Sequence, residues 1–419
     1  MTDATTTQAT PSCRFCGTGL THTLVDLGKT PLANSYLKNV GADMLPEPSF
    51  SLHARVCPSC LLVQVDDSVP PGEIFSDYAY FSSYAQSWVE HARRYANAMR
   101  ERWSLGPSSL VVEVASNDGY LLQHFKAAGV PVLGIEPAAN VAAAAVAKGI
   151  PTEVAFFGEA TARRLAEQGV AADLMAANNV LAHVPAIEDF VKGFAVLLKP
   201  EAVATFEFPH VLNLIRQVQF DTIYHEHFSY LSLVAVEKVL TAAGLRAFDV
   251  EKIPTHGGSL RLFVTHTGAS HAATERLRSV RADEHAAKLD VLDGYRDFAP
   301  LVEAVRQGFL AFLAKARSEG KTVAAYGAAA KGNTFLNFCG VGTDDIVCVF
   351  DRSLEKQGRF LPGSRLPIRA PEDIAEVRPD YLVILPWNIA PEVMASNWQI
   401  ATWGGKFVTA VPKLTITAP

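Results

Sequence analysis

The run Leu110-Val-Val-Glu-Val-Ala-Ser-Asn-Asp-Gly119 sets the fold class of this chain. A mostly apolar strand passes into a short polar loop, and helical spacing resumes from about Tyr120 to Ala128. The unit then repeats. Val130 to Ile135 precedes an alanine-rich helix over about Ala138 to Lys148. Asp173 to Ala177 precedes a helix near Ile187 to Leu198, and Val203 to Phe208 follows. Such alternation specifies an α/β fold, a parallel sheet wrapped by helices. After a charged helical stretch over about Thr274 to Glu319, the same style returns. Thr322 to Tyr326 leads into Gly327-Ala-Ala-Ala-Lys-Gly-Asn333, Ile346 to Phe350 ends at Asp351, and Tyr381 to Leu385 ends at Pro386-Trp387-Asn388. These residues predict a second, smaller Rossmann-like unit.

Ligands of open α/β sheets bind beyond the carboxyl ends of the strands, so the strand tips carry the search for a site. The first tip offers Glu113, Asn117, Asp118 and Gly119, the second Glu136, and a third Asn178, Asn179 and His183. A carboxylate accepting two hydrogen bonds, as at Glu136, suits a ribose diol. The set resembles the class I methyltransferases that use S-adenosylmethionine. Their first loop usually reads E-x-G-x-G-x-G; here Gly119 remains, while Ala115 and Asn117 stand at the other two glycine positions. An NAD-binding unit or a purely structural α/β domain remain the alternatives at this point.

Toward the N-terminus lie two CxxC pairs, Cys13-Arg-Phe-Cys16 and Cys57-Pro-Ser-Cys60. Two such knuckles supply the four thiolates of a tetrahedral Zn²⁺ site, and a closed Cys₄ shell leaves no position for water, so the metal is structural. Two disulfides or four thiols are the alternatives. Only six cysteines occur in 419 residues, the usage of a reducing cytosol, and Cys339 and Cys348 read as core packing. The expected organisation is therefore a zinc module over 11–75, a cofactor-binding domain with a helical bridge over 76–270, and the C-terminal unit over 271–419. A net charge of −6 without a basic block disfavours nucleic acid as partner. No apolar run reaches ~18 residues, so no membrane span is expected, and the polar lead from Met1 to Ser12 lacks a signal core. These features predict a cytoplasmic protein.

Phe220-Asp-Thr-Ile-Tyr-His-Glu-His-Phe-Ser-Tyr230 packs chemistry densely in a chain with 12 histidines. His225-Glu-His227 is not a zincin motif, which needs helical i, i+4 ligands. In an extended segment, alternation points His225 and His227 to one side and Glu226 to the other. Imidazole is the natural proton abstractor near neutral pH. The alternative is a polar turn capping the next helix, near Ser232 to Ala243.

Taken in order, Cys13-x-x-Cys16 with Cys57-x-x-Cys60, Asp77-Tyr78-Ala-Tyr80-Phe-Ser-Ser-Tyr84, Glu113 to Gly119, Tyr224 to Tyr230, His256-Gly-Gly-Ser-Leu-Arg261 and Ala325 to Asn333 resemble the sugar C-methyltransferases of antibiotic deoxysugar pathways. The nearest resemblance is to those acting at C-3′ of dTDP-linked 4-keto-deoxysugars. It implies a zinc module, a central class I methyltransferase domain and a smaller Rossmann-like C-terminal domain. It also implies S-adenosylmethionine as methyl donor and a monomer or weak oligomer. It implies His227 as general base, with His225 as the alternative. Tyr224 and Glu226 then orient the base or the sugar, His183 donates to the enolate oxygen, and Tyr78 hydrogen-bonds the sugar. Tyr80, Ser259, Arg261, Lys331, Asn333 and Asn388 complete the expected substrate contacts. Lys331 sits in a loop without the P-loop order, so ATP hydrolysis is not expected. Rival readings are C-methylation at C-5′, a zinc-ribbon methyltransferase for RNA or protein, and a non-catalytic nucleotide-sugar binder.

Overall fold

The computed structural model describes residues 10–41, 46–66, 82–84 and 86–419. Three sheets organise them. β1 (His22–Thr30), β2 (Phe50–Val56) and β3 (Val63–Val65) form an antiparallel meander above the cysteines. Next come β4 (Val111–Val114), β5 (Val132–Ile135), β6 (Thr152–Glu153), β7 (Ala172–Asn178) and β8 (Leu198–Pro209). The short β9 (Ser229–Tyr230) leaves the central block and pairs with β3, extending the zinc-module sheet. β10 (Leu245–Ile253) and β11 (Ser259–His266) complete the central sheet, whose order is β6-β5-β4-β7-β8-β11-β10. All neighbours through β8 are parallel; β11 is antiparallel to β8. This is a doubly wound sheet with its switch point between β4 and β7.

The C-terminal sheet holds β12 (Val323–Tyr326), β13 (Val349–Phe350), β14 (Ile368–Arg369), β15 (Tyr381–Ile384), β16 (Lys406–Thr409) and β17 (Thr415–Thr417). Its order β14-β13-β12-β15-β16-β17 is the Rossmann order, parallel except for β17. The expected strand–helix alternation is met in both sheets. The charged stretch from Thr274 is two helices, Glu275–Ala286 and Phe298–Ser318. The first follows the expected boundary at residue 271, yet Leu277 and Val280 share the core of the central sheet and Arg276 pairs with the buried Asp249 of β10. The second carries Phe298, Val302, Phe309 and Leu313 on one face, the 3–4 spacing that makes a helix amphipathic. That face belongs to one continuous core with Leu24 and Leu52 of the zinc module, Phe220 and Ile223 of the central block, and Val323 and Phe335 of the C-terminal unit. The three units are therefore packed around a shared apolar centre, and the Phe220–Tyr230 segment lies where they meet.

Candidate active site

Phe220–Thr222 is a single 3₁₀ turn, and the His227 N–H donates to the Tyr224 carbonyl at 2.9 Å, closing a β-turn. A turn does not alternate its side chains as a strand does, which overturns the expected facing of the two histidines. His225 is buried, its Nε2–H donates to the Ser51 carbonyl of β2 at 3.2 Å, and its ring meets Phe50 edge-on. It fastens the turn to the zinc module. The helix cap expected of this segment is made instead by Ser232, whose side chain accepts from the Ala235 N–H.

His227 turns the other way. Its Nδ1 lies 3.1 Å from the Thr222 carbonyl, which only accepts, so Nδ1 carries the proton and Nε2 the lone pair. The Tyr224 hydroxyl donates to that Nε2 at 2.8 Å. Burial, with His183, His256 and Lys331 nearby, holds the ring well below the usual histidine pKa. His183 stands edge-on at 4.6 Å between ring centroids, and its Nδ1–H donates to the Glu226 carbonyl at 2.9 Å. Burial lowers its pKa to about 4. A neutral His183 thus has its one N–H committed to the backbone, which removes the expected donation to an enolate oxygen. The Glu226 carboxyl accepts from Asn34 Nδ2 at 2.6 Å and is pushed up by burial. Beside it, the Tyr36 hydroxyl donates to the Ala328 carbonyl at 2.6 Å, joining the zinc module to the first loop of the C-terminal sheet.

The C-terminal wall brings Lys331 and Asn388 together, with Lys331 Nζ donating to Asn388 Oδ1 at 2.7 Å and lying 4.9 Å from the centre of the Trp387 ring. The Trp387 indole N–H donates to Asp221 Oδ2 at 2.7 Å. Asp221 is buried, and desolvation pushes its pKa up to about 6 against the opposing pull of Lys331. Three expected substrate contacts are spent elsewhere. The Ser259 hydroxyl donates to the Thr255 carbonyl at 2.9 Å. Arg261 is pinned by Glu207 at 2.6 Å and Glu251 at 2.9 Å. Asn333, 1% exposed, donates to the Ala33 carbonyl at 2.7 Å. Tyr78 and Tyr80 lie outside the described residues.

At the switch point of the central sheet, Ala115, Asn117 and Gly119 have φ of 54, 49 and 78. The three positions of the glycine pattern are therefore all left-handed, including the two that are not glycine. Glu136 holds the loop, its two oxygens accepting the Asn117 and Ala138 N–H groups at 2.9 Å each. Two acceptor positions on the carboxylate remain. Glu113 is buried beside it, and desolvation and the Glu136 charge hold its carboxyl well above the usual range. Asp118 receives Lys148 Nζ at 2.8 Å and the Ser83 hydroxyl.

Residues 13–75 match a zinc binding domain, residues 88–250 a methyltransferase domain, and residues 254–412 a C-methyltransferase C-terminal domain. Over 401 residues the chain is 36% identical to C-methyltransferase NovU of Streptomyces niveus, a match spanning 96% of this chain and 95% of that relative. The chain belongs to the C-methyltransferase family. Among solved structures, the magnesium protoporphyrin IX methyltransferase of Synechocystis PCC 6803 with bound SAH is 16% identical, covering 43% of this chain and 83% of its own, at a TM-score of 0.35. YcgJ of Bacillus subtilis is 10% identical, covering 43% of this chain and 100% of its own, at 0.33. The assignment rests on the sequence relationship and not on these scores.

This C-methyltransferase uses S-adenosylmethionine, and the residues at the switch point fit it. Asn178 Oδ1, both polar atoms of the Asn179 amide, Ser116 Oγ, Asp118 Oδ1 and Glu113 Oε2 are buried without a hydrogen-bond partner among the described residues. Such groups cost about 1–3 kcal/mol each when left unmatched, so a polar ligand there is the natural complement. The zinc site fits equally. The four Sγ atoms lie within 4.8 Å of one another, near the ~3.8 Å edge of a tetrahedron with 2.3 Å Zn–S bonds. Gln64 Nε2 donates to Cys13 Sγ at 3.1 Å, the outer contact a thiolate ligand takes. No helix of the described residues is long and apolar enough to cross a membrane. Reading the sequence missed Asn34, Tyr36 and Asp221; the last lies within a motif already singled out, whereas the first two come from a loop with no motif.

Proposed function

We propose that the enzyme methylates C-3′ of a dTDP-linked 4-keto-deoxysugar in the cytosol, with His227 as the base. One observation carries the reading: the Thr222 carbonyl fixes the proton on His227 Nδ1, leaving Nε2 as the lone pair beside the Tyr224 phenol. The 4-keto group acidifies the neighbouring C–H. Nε2 takes that proton while the electron pair moves onto the carbonyl oxygen. S-adenosylmethionine supplies an activated methyl group that the resulting carbanion-like carbon attacks. As the sugar binds, the Tyr224 hydroxyl turns from Nε2 to the substrate oxygen, which frees the Nε2 lone pair for the proton. Glu226, its pKa pushed up by burial and its carboxyl held by Asn34, orients the sugar by hydrogen bonds. The nucleotide lies toward Lys331 and Asn388, where an ammonium and an amide stand hydrogen-bonded together. Turnover of candidate dTDP-4-keto sugars, followed by NMR of the product, tests this. A new methyl singlet with loss of the C-3′ proton signal is expected; a methyl group on C-5′, oxygen or nitrogen overturns it.

A further inference from the structure

His256 has φ 54 and ψ 30, and Gly257 and Gly258 follow at φ 85 and 105. A left-handed backbone is unfavourable for a residue with a Cβ, and a strained position held by its surroundings points to a use. The surroundings do hold it. A Cβ on Gly257 would come within 2.7 Å of Trp387 Cη2, and one on Gly258 within 2.4 Å of Asn213 Nδ2. Gln219 Nε2 donates to the Gly257 carbonyl at 2.9 Å, and Asn213 Nδ2 to the Gly258 carbonyl at 3.1 Å.

What this turn presents is an imidazole between the central sheet and the C-terminal unit. The residue keeps accessible surface while burial around its ring lowers the pKa to about 4; the ring meets Trp88 edge-on at 5.5 Å and has no hydrogen-bond partner among the described residues. Lys331 of the C-terminal unit, Glu207 and His91 of the central sheet and its bridge, and His183 of the base cluster lie close enough to bear on it electrostatically. His256 in turn bears electrostatically on His227.

The chemistry leaves room for a second donor on the substrate oxygen, beside the Tyr224 hydroxyl. A base as weak as a buried His227 removes a carbon-bound proton only if the charge appearing on the carbonyl oxygen is stabilised. His183 has spent its N–H on the Glu226 carbonyl. We propose that His256 is a further catalytic residue, donating its imidazole N–H to the substrate oxygen on which the enolate charge develops. This rests on the functional reading above. The C–H bond breaks, its proton goes to His227 Nε2, its electron pair forms the C-3′=C-4′ double bond and the carbonyl π pair moves onto the oxygen; His256 shares its proton and keeps it. When the carbon forms its bond to the methyl group, the methyl–sulfur bond breaks and its electron pair stays on sulfur in S-adenosylhomocysteine; the carbonyl is restored, and the Nε2 proton leaves to solvent. Neutral imidazole suits the task, since it donates without first losing a proton to bulk water.

The test is exchange of the C-3′ proton of a dTDP-4-keto sugar in D₂O with S-adenosylhomocysteine bound, alongside steady-state turnover. His256→Gly accepts the left-handed backbone and removes the ring, so folding is preserved; His256→Asn tolerates the same backbone and keeps an N–H donor. His256→Gly is expected to lower both exchange and kcat by about a hundred- to a thousand-fold, with KM little changed. Added imidazole restores part of the loss, and His256→Asn retains more than the glycine variant. Wild-type exchange in His256→Gly, or a raised KM at unchanged kcat, overturns the proposal. A wild-type enzyme that leaves every dTDP-4-keto sugar untouched overturns the functional reading itself, and the role of His256 with it.

Discussion

Gln64 and Ser229 are neighbours across the β3–β9 ladder, so the strand that follows the second cysteine knuckle is hydrogen-bonded to the strand that follows His227. Gln64 also reaches Cys13 Sγ, and the Val65 N–H donates to the Phe228 carbonyl at 3.2 Å. His225 adds a second fastening, onto Ser51 of β2. The zinc module is thus the bed on which the base-bearing turn lies.

Removal of zinc is therefore expected to abolish turnover before it abolishes cofactor binding, because the switch point of the central sheet does not pass through β3. Chelation should lower kcat steeply while calorimetry still detects S-adenosylmethionine binding. An enzyme that turns over normally without zinc and stays fully folded would remove the metal from its structural role.

The Tyr224–His227 pair carries a kinetic prediction. His227→Asn should lower turnover by about 10²–10⁴-fold, the usual worth of a positioned base. Tyr224→Phe leaves Nε2 without its donor and should cost less, since the base remains. Both should retain cofactor affinity and thermal stability; equal turnover in wild type and His227→Asn would assign the base elsewhere.

Both sheets and the metal ligands were legible because they are local in sequence: alternating strand and helix runs, CxxC knuckles, acids at strand tips. The first loop was legible in a less obvious way. Ala115 and Asn117 break the glycine pattern in composition and keep it in backbone, since asparagine tolerates a left-handed conformation and alanine accepts it at roughly 1–2 kcal/mol. Side-chain destinations were not legible. Arg261 reads as a free phosphate ligand until the Glu207 carboxylate, 54 positions away, is placed against it, and Asn333 meets a carbonyl 300 positions away. His225 and His227 could not be told apart because a turn and a strand face their side chains differently, and nothing in the residue types chooses between them.

The same loop allows a stability test. A Cβ at Gly119 would sit 2.9 Å from Ile150 Cγ1, at a φ that already disfavours one. Gly119→Ala should destabilise by about 1–3 kcal/mol. Ala115→Gly is expected to be neutral or mildly stabilising, because relief of the left-handed strain offsets the added freedom of the unfolded chain. Denaturant midpoints of the two variants check this, and a clear loss of stability in Ala115→Gly would contradict the backbone described here.

Asp221 predicts an effect of pH on stability. Its folded pKa of about 6 lies above the 3.8 of an unfolded chain, so the folded protein binds a proton that the unfolded one releases between those values. The stabilising contribution is complete below pH 3.8 and is lost as pH rises through 6. Above that, a buried carboxylate is maintained at a cost of roughly 3 kcal/mol. His183 has the opposite sign: with its pKa lowered to about 4, the unfolded chain binds the extra proton, and stability falls as pH drops from 6.5 toward 4. The two effects overlap, so a variant separates them. Asp221→Asn keeps an oxygen for the Trp387 N–H and removes the charge. It should raise the denaturation midpoint at pH 8 by an amount equivalent to roughly 1–3 kcal/mol, and the difference from wild type should shrink to roughly half at pH 5 and toward zero only below pH 3.8, where the unfolded chain is protonated as well. Equal midpoints at pH 8, or a gain that persists unchanged at pH 5, would show that the Asp221 carboxyl does not carry this charge.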